Sequence, residues 1–279
     1  MPVSLLGATE IRRLAAELDV TPTKKLGQNF VVDANTVRKI VQVAGVSASD
    51  RVVEIGPGLG SLTLAILETG ADVVAVEIDH RLATRLPRTA AEHGVDEGRL
   101  TVIDADALRV DALPGEPQVL VANLPYNVSV PVLLHFLETF PYLGSGVVMV
   151  QAEVGERLAA PPGSKVYGAP SVKAAWYGAW RLAGTVSRQV FWPVPNVDSV
   201  LVAFERDAAP RGSEEHRRRT FAIVDAAFQQ RRKMLRQALS DVLGGTAAEA
   251  SAALERAGVD PTLRGEQLTV DDYARIAAL

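Results

Sequence analysis

Four consecutive residues, Asn123, Leu124, Pro125 and Tyr126, place an amide, a proline-restricted backbone and an aromatic ring side by side. They follow the apolar run Val119-Leu120-Val121-Ala122, so we expect them at the end of a buried parallel strand. In open α/β sheets, ligands bind at this end of the strands. The Asn123 amide oxygen and the Leu124 carbonyl can accept two hydrogen bonds from one exocyclic amino group, while the Tyr126 ring stacks on the base. The pattern predicts a clamp for an adenine or cytosine drawn out of its helix. A proline turn with a packed tyrosine is the alternative.

Two neighbouring strand ends carry residues typical of a nucleotide site. Gly56, Gly58 and Gly60 follow the first predicted strand of the sheet, and glycines there permit a tight turn and close approach of a ligand to the backbone. Glu77 ends the next strand, and its carboxylate suits a pair of ribose hydroxyls because it only accepts hydrogen bonds. Asp106 follows the third strand and can receive the amino group of an adenine. Together they predict a cofactor that contains adenosine.

Both S-adenosylmethionine and NAD contain adenosine. The glycine spacing is G-x-G-x-G, and position 61 is Ser, so the third spaced glycine of dinucleotide sites is missing. A dehydrogenase also has no use for an amide-and-tyrosine base clamp. We therefore predict S-adenosylmethionine as the cofactor, with NAD as the rival.

The composition excludes several kinds of site. Of the 279 residues, 48% are hydrophobic, 22% are charged and none is cysteine, which excludes disulfides and thiolate metal sites and fits a reducing cytosol. The four histidines have no ligand spacing, so no metal is expected. No stretch approaches the roughly 20 apolar residues that a membrane span needs, and the N-terminus has no apolar signal region. We expect a cytoplasmic protein without membrane partners.

A net charge of −4 argues against indiscriminate coating of nucleic acid, but one segment is basic. Eight basic and three acidic residues lie between positions 211 and 236. We predict that Arg231, Arg232, Lys233 and Arg236 contact RNA phosphates from a helix that carries positions 232 and 236 on one face. An ordinary solvated helix face is the alternative.

Short apolar strands alternate with helices and predict a parallel sheet covered on both faces. Strands are expected at 51–55, 72–78, 100–103, 118–122 and 147–151, and helices at 59–68, 81–93 and 130–140. An amphipathic helix at 9–19 and a helix capped by Asp33 precede them. A helix at 169–177 and two β-branched runs at 182–190 and 199–204, expected as an antiparallel edge pair, follow them.

The segment from Asp207 to Gly212 is the predicted domain boundary, because everything beyond it has helical patterning, at 214–229, 231–242, 247–257 and 270–278. We expect an N-terminal extension at 1–22, a cofactor-binding domain at 23–206 and a helical RNA-binding domain at 212–279.

In order along the chain, these motifs resemble the KsgA/RsmA family of small-subunit rRNA adenine dimethyltransferases, from about Lys24 to the C-terminus. The matching blocks are Lys25-Leu-Gly-Gln-Asn-Phe30, Glu54-Ile-Gly-Pro-Gly58, Val76-Glu-Ile-Asp79, Asn123-Leu-Pro-Tyr-Asn127, Gln151-Ala-Glu-Val154, Ser164-Lys-Val-Tyr-Gly168, Phe191-Trp-Pro-Val-Pro195, Val197-Asp-Ser199 and Phe228-Gln-Gln-Arg-Arg-Lys233. The resemblance implies an α/β, Rossmann-like class I methyltransferase sheet, mostly parallel with an antiparallel edge hairpin, and a small all-helical C-terminal domain. It also implies dimethylation of N6 on two adjacent adenosines in the 3′-terminal hairpin loop of 16S rRNA.

The resemblance further implies roles for individual residues. Asn29 and Val31 would contact the methionine side of S-adenosylmethionine, Gly56 and Gly58 would form the glycine loop, Glu77 would hold the ribose, Asp106 the adenine amine, and Asn123 the region where cofactor and base meet. Tyr126 and Phe191 would sandwich the flipped base, with a buried core aromatic as the alternative for Phe191. Family members often carry Thr or Ser where Trp192 stands, so this loop is expected to shape the base pocket differently.

Two rival functions stay open. A 23S rRNA adenine methyltransferase of the macrolide-resistance type shares the sheet and the clamp, although its clamp usually has Ile where this chain has Leu124. A non-catalytic ribosome-assembly or transcription factor could use the same scaffold, but a pure binder has no reason to keep a cofactor site. The expected partner is small-subunit rRNA or the precursor 30S subunit, bound by a monomer.

Overall fold

The computed structural model describes residues 2–20 and 29–279. The polar segment with Lys24 and Lys25, and most of the block at 25–30, lie outside the described residues. The chain forms two compact units, one from Met1–Gly155 and Arg181–Arg206, the other from Glu156–Trp180 and Asp207–Leu279. The predicted division into an extension, a cofactor domain and an RNA-binding domain stays a prediction.

Nine strands and eleven α-helices make up the described chain. The strands are β1 (Phe30–Val31), β2 (Arg51–Ile55), β3 (Asp72–Glu77), β4 (Leu100–Asp104), β5 (Val119–Asn123), β6 (Ser145–Gln151), β7 (Gly178–Val186), β8 (Phe191–Trp192) and β9 (Ser199–Arg206). The helices are α1 (Ala8–Glu17), α2 (Ala34–Ala44), α3 (Ser61–Glu68), α4 (His80–Glu92), α5 (Ser129–Thr139), α6 (Ala152–Leu158), α7 (Ala169–Ala175), α8 (Glu214–Gln229), α9 (Leu235–Ala238), α10 (Ala247–Arg256) and α11 (Val270–Ala277).

Seven of the strands form one sheet in the order β4-β3-β2-β5-β6-β9-β7. Strands β2 to β6 pair in parallel, and β9 runs antiparallel to β6. Consecutive residues of β2, β3, β5 and β6 are buried, as expected when helices cover both faces of a parallel sheet. The predicted fold class, a mostly parallel Rossmann-like sheet with an antiparallel edge, is confirmed.

The core of the larger unit joins helices to this sheet. Ile40 of α2 and Ile66 of α3 pack in one apolar cluster with Val52, Val121 and Met149 of the sheet. Helix α2 begins where predicted, because the Asp33 carboxylate accepts a hydrogen bond from the Thr36 backbone N–H at 2.7 Å.

The N-terminal helix packs in a second apolar cluster of the larger unit. The buried face of α1, with Ile11 and Leu14, packs in this cluster with Phe30, Leu59 and Leu64. The amphipathic pattern at 9–19 therefore predicted this helix correctly.

The predicted edge pair is formed with two differences. Strand β9 lies between β6 and β7, and β7 ends at Val186 because Ser187 caps a short 3₁₀ turn at Arg188–Val190. Phe191–Trp192 then forms β8, which pairs antiparallel with β1 in a separate two-stranded sheet. This pairing places the Pro-rich loop beside residues 30 and 31.

In the smaller unit, the predicted continuous helix at 231–242 is wrong. Arg231 to Lys233 form a turn, and only Leu235–Ala238 is α-helical. The Leu235 N–H donates to the Leu263 carbonyl at 2.7 Å and the Arg236 N–H to the Pro261 carbonyl at 3.1 Å, so these groups are not available for helical bonds to residues 231 and 232. Positions 232 and 236 therefore do not share a helix face.

Within residues 2–20 and 29–279, no helix has the length and apolar character needed to cross a membrane.

Candidate active site

A cavity of about 260 Å³ lies at the carboxyl ends of β2 to β5 in the larger unit. Strands β2 and β5 are neighbours on either side of the point where the strand order reverses, which is where open α/β sheets bind ligands. The cavity brings together every predicted cofactor residue and three of the four predicted catalytic residues. Its lining includes Asn29, Val31, Gly56, Gly58, Glu77, Asp106, Asn123, Leu124 and Tyr126.

The glycine loop depends on backbone conformations that favour glycine. Gly58 has φ +59°, and a Cβ there would lie 2.9 Å from the Phe30 ring. Gly60 has φ +101°, and its Cβ would lie 2.7 Å from a Leu86 methyl group. Of the predicted glycines, Gly56 and Gly58 thus bring bare backbone to the cavity wall, and Gly60 lies at the start of α3.

Glu77 is the buried acid that organises this wall. Its side chain is 5% exposed, and its two oxygens accept hydrogen bonds from the Gly58 and Asp79 backbone N–H groups, each at 3.0 Å. Burial raises the pKa of Glu77, against the lowering effect of these backbone donors. The residue therefore links the glycine loop to the end of β3.

Sequence reasoning missed a second buried acid in the cavity. Glu54 is 1% exposed, and its Oε2 has no hydrogen-bond partner among the residues that the structure describes. Burial raises the pKa of Glu54 to about 8, against the lowering effect of the nearby Thr63 hydroxyl and with a smaller rise from the charge of Glu77. A carboxyl group within the apolar strand β2, next to the glycine loop, was the available signal.

Asp106 follows β4, the strand next to β3, and also lines the cavity. Its Oδ1 accepts a hydrogen bond from the Leu108 N–H at 2.9 Å, and its Oδ2 is 3.9 Å from the Arg109 guanidinium. The Ala105 N–H donates to the Glu77 carbonyl at 2.9 Å, so the Asp106 loop is tied to β3. The structure therefore offers Asp106 beside Glu77, as the strand-end argument predicted.

The orientation of the Asn123 amide is set by another residue of the cavity wall. The Asn123 NH₂ donates to the Asn29 carbonyl at 3.0 Å. An amide turned the other way would place two oxygens against each other, so Asn123 offers its own oxygen as an acceptor for a ligand. The Leu124 backbone is fixed in turn, because its N–H donates to the Met149 carbonyl at 3.1 Å.

Tyr126 is half-buried at the cavity, and burial raises its pKa. Its hydroxyl lies 2.8 Å from the Ser199 hydroxyl at the start of β9. The Tyr126 ring therefore lies at the cavity and is anchored at its far end, and its stacking role stays a prediction.

Phe191 is not among the described residues that line the cavity. It is 2% exposed and packs in the core with Val31, because the β1–β8 pairing turns it inward. The structure therefore matches the core-aromatic alternative and not the predicted sandwich. Its neighbour Trp192 is partly exposed and stacks on Phe30, with ring centroids 6.3 Å apart.

The predicted RNA-binding residues divide into two pairs. Arg231 forms an ion pair with Glu266 at 2.8 Å and also donates to the Lys165 carbonyl. Arg236 is partly buried and lies near Asp260, whose pKa is lowered mainly by hydrogen bonds from Thr262 and less by the Arg236 charge. Arg232 and Lys233 are exposed and form no ion pair in the part of the chain that the structure describes. Acids outside the 211–236 window therefore reduce the predicted basic excess.

The comparison with known proteins agrees with this geometry. A family model described as "Ribosomal RNA adenine dimethylase" matches residues 21–279. The chain is 70% identical over 275 residues to a ribosomal RNA small subunit methyltransferase A from Leifsonia xyli subsp. xyli, covering 98% of each chain. It is 60% identical to the protein of the same name from Thermobifida fusca, covering 98% of this chain and 95% of that one.

Solved structures agree on the fold. A dimethyladenosine transferase from Plasmodium falciparum superposes with a TM-score of 0.75 at 23% identity, covering 88% of this chain and 94% of that one. The 23S rRNA methyltransferase ErmE superposes with a TM-score of 0.67 at 26% identity, covering 90% of this chain and 98% of that one. Both structures thus share the fold of this chain, and the higher identities belong to the small-subunit methyltransferase relatives.

These matches confirm the predicted resemblance and the predicted enzyme class, an rRNA adenine dimethyltransferase, and this class implies S-adenosylmethionine as the methyl donor. The chain therefore belongs to the ribosomal RNA adenine dimethylase family.

Proposed function

We propose that this protein methylates N6 of two adjacent adenosines in the 3′-terminal hairpin loop of small-subunit rRNA, forming N6,N6-dimethyladenosines during assembly of the small subunit. The observation that carries the proposal is the Asn123 amide, oriented by the Asn29 carbonyl in the cavity that also contains Glu77 and Asp106. The small-subunit relatives at 60% and 70% identity support the choice of rRNA.

The residues of the cavity fit S-adenosylmethionine. Glu77 and Asp106 are acceptors suited to ribose hydroxyls and an adenine amine, and Asn29, Val31, Gly56 and Gly58 line the same wall. The unpartnered Glu54 oxygen is a buried polar atom in the cavity lining, and such a group calls for a hydrogen-bond partner from a ligand. When bound, S-adenosylmethionine supplies an electrophilic methyl group on a cationic sulfur.

The protein's contribution to transfer is positioning. Adenine N6 is a poor nucleophile because its lone pair is delocalised into the ring. Hydrogen bonds from its two protons to the Asn123 oxygen and the Leu124 carbonyl favour a more tetrahedral nitrogen and aim its lone pair. The Tyr126 ring holds the plane of the flipped base. No dedicated general base is needed, since the proton becomes acidic once the nitrogen is cationic.

Dimethylation places a further demand on the clamp. The monomethylated amine returns with one hydrogen, so only one of the two acceptors can be used in the second transfer. The pocket must then accommodate the first methyl group beside the unused acceptor. Arg232 and Lys233, exposed and without ion pairs in the described chain, are the proposed phosphate contacts.

Mapping the modified base tests the proposal. The protein is incubated with labelled S-adenosylmethionine and either small subunits that lack the modification or unmodified large-subunit rRNA. We expect label on two adjacent adenosines near the 3′ end of the small-subunit rRNA and none on the large-subunit rRNA. Label on a 23S adenine alone would establish the rival activity, and no label on either RNA would favour a non-catalytic factor.

A further inference from the structure

Ser199 is a buried polar residue at the head of an apolar strand. It is 1% exposed, and the next five residues of β9 are also buried. A buried hydroxyl without a partner is unfavourable, and an alanine would satisfy the apolar surroundings equally well. The presence of a hydroxyl therefore needs a reason, and the partner that the structure provides is the Tyr126 hydroxyl at 2.8 Å.

This contact joins two segments that are far apart in sequence and not adjacent in the sheet. Tyr126 follows β5, whereas Ser199 begins β9, and β6 lies between these strands. Ser199 is held by its register opposite Gln151, and the Ala152 N–H donates to the Asp198 carbonyl at 2.9 Å. The anchor thus lies on a paired strand, while the ring that it holds lies on a loop.

We propose that Ser199 is a positioning residue for methyl transfer, which fixes the Tyr126 ring as the platform for the flipped target base. A tyrosine ring has two side-chain torsions. A hydrogen bond at the hydroxyl restricts the first and so fixes where the ring lies, and because the phenolic O–H prefers the ring plane, it also biases the second. Because Phe191 is in the core, Tyr126 is the predicted stacking residue that remains at the cavity, so its orientation matters more. This inference rests on the proposed function.

The expected effect is modest and confined to one step. Loss of a neutral hydrogen bond corresponds to a change of roughly 2- to 12-fold in an equilibrium or rate constant. Ser199→Ala should lower kcat for methylation of small subunits by that factor. The KM for the subunit should change little because the proposed phosphate contacts, Arg232 and Lys233, are unchanged, and the Kd for S-adenosylmethionine should also stay the same. Ser199→Thr keeps the hydroxyl and should restore most of the lost kcat.

A double-mutant cycle separates positioning from a merely structural role. Tyr126→Phe removes the other hydroxyl and keeps the ring, so it should lower kcat by a similar factor. Ser199→Ala combined with Tyr126→Phe should then be no worse than either change alone. Ser171→Ala is the matched control, because this serine is 2% exposed and bonds to the Arg157 carbonyl in the other compact unit. It should leave kcat unchanged.

Base stacking provides an independent readout. An RNA with a fluorescent adenosine analogue that keeps the 6-amino group, such as 8-vinyladenosine, at the target position should be less quenched when bound to Ser199→Ala than to the wild-type protein, because a mobile ring stacks less well. Unchanged kcat and quenching, or multiplicative effects in the cycle, would overturn the inference. If the wild-type protein itself fails to methylate small subunits, the proposed function fails instead, so the two failures are distinguishable.

Discussion

Replacement of Glu77 by alanine should weaken S-adenosylmethionine binding strongly. Glu77 is 5% exposed at the cavity wall, and each of its oxygens already accepts one backbone hydrogen bond. A carboxylate oxygen has a second acceptor site, which is available to a ribose hydroxyl. A charge-assisted hydrogen bond contributes about 1.5–3 kcal/mol, so the Kd should rise roughly 10- to 150-fold.

The same change affects stability, because it leaves the Gly58 and Asp79 N–H groups without their acceptor. Each unsatisfied buried donor costs about 1–3 kcal/mol unless water reaches it. Glu77→Gln keeps an oxygen acceptor for one of the two groups, so it should unfold at a higher urea concentration than Glu77→Ala while still binding the cofactor more weakly than wild type.

Calorimetric titration gives the Kd, and urea unfolding shows whether each variant is folded. Glu68→Ala is the control, since this acid forms an ion pair with Arg38 at 2.8 Å and does not line the cavity. It should bind S-adenosylmethionine like the wild-type protein. A folded Glu77→Ala protein with wild-type affinity would refute the assignment of Glu77 to the cofactor.

Three further predictions follow from the geometry. Gly58→Ala should lower the free energy of unfolding by at least about 1–2 kcal/mol, because a Cβ at φ +59° is strained and meets the Phe30 ring; unchanged urea unfolding would contradict this. Since folding raises the pKa of Glu54 to about 8, the folded state holds this proton more tightly, and stability should fall as pH rises from about 4.5 to about 8. Glu54→Gln should flatten that fall by roughly 1 kcal/mol per pH unit, and equal slopes would remove Glu54 as its cause. Reversing the charges of Arg232 and Lys233 should reduce the salt slope of subunit binding by about 1.4 to 1.8 with the cofactor Kd unchanged, and an unaltered slope would make the pair an ordinary solvated surface.

Local sequence was sufficient to predict the part of the fold in which strands and helices alternate. Parallel strands buried on both faces need continuous apolar runs, and the glycines and acids at their ends mark the edge where ligands bind. This is why Gly58, Glu77, Asp106 and Asn123 were predicted from spacing and lie around one cavity.

What sequence could not predict depends on contacts between distant segments. Arg231 to Lys233 are good helix formers, yet pairing of the Leu235 N–H with the Leu263 carbonyl keeps them out of α9, which begins only at Leu235. Phe191 becomes a core residue only through its pairing with Val31. The Tyr126–Ser199 hydrogen bond joins residues 73 positions apart, and no local pattern marks it.

The charge of the basic segment also depends on residues that are distant in sequence. A count between positions 211 and 236 omits Glu266 and Asp271, which pair with Arg231 and Arg211 from outside the window. Net charge along the sequence therefore overestimated the basic surface, and only the three-dimensional pairing identifies Arg232 and Lys233 as the better candidates for phosphate contacts.

Nucleoside mass spectrometry of small-subunit rRNA tests the central claim, that the Asn123 amide presents an adenine amine for methyl transfer. Subunits lacking the modification are treated with S-adenosylmethionine and either the wild-type protein or Asn123→Ala. The wild-type protein should yield two N6,N6-dimethyladenosines per rRNA. Asn123→Ala should yield almost none while it stays folded and keeps most of its affinity for the subunit. Dimethylation by Asn123→Ala at a rate close to that of the wild-type protein would contradict the clamp mechanism.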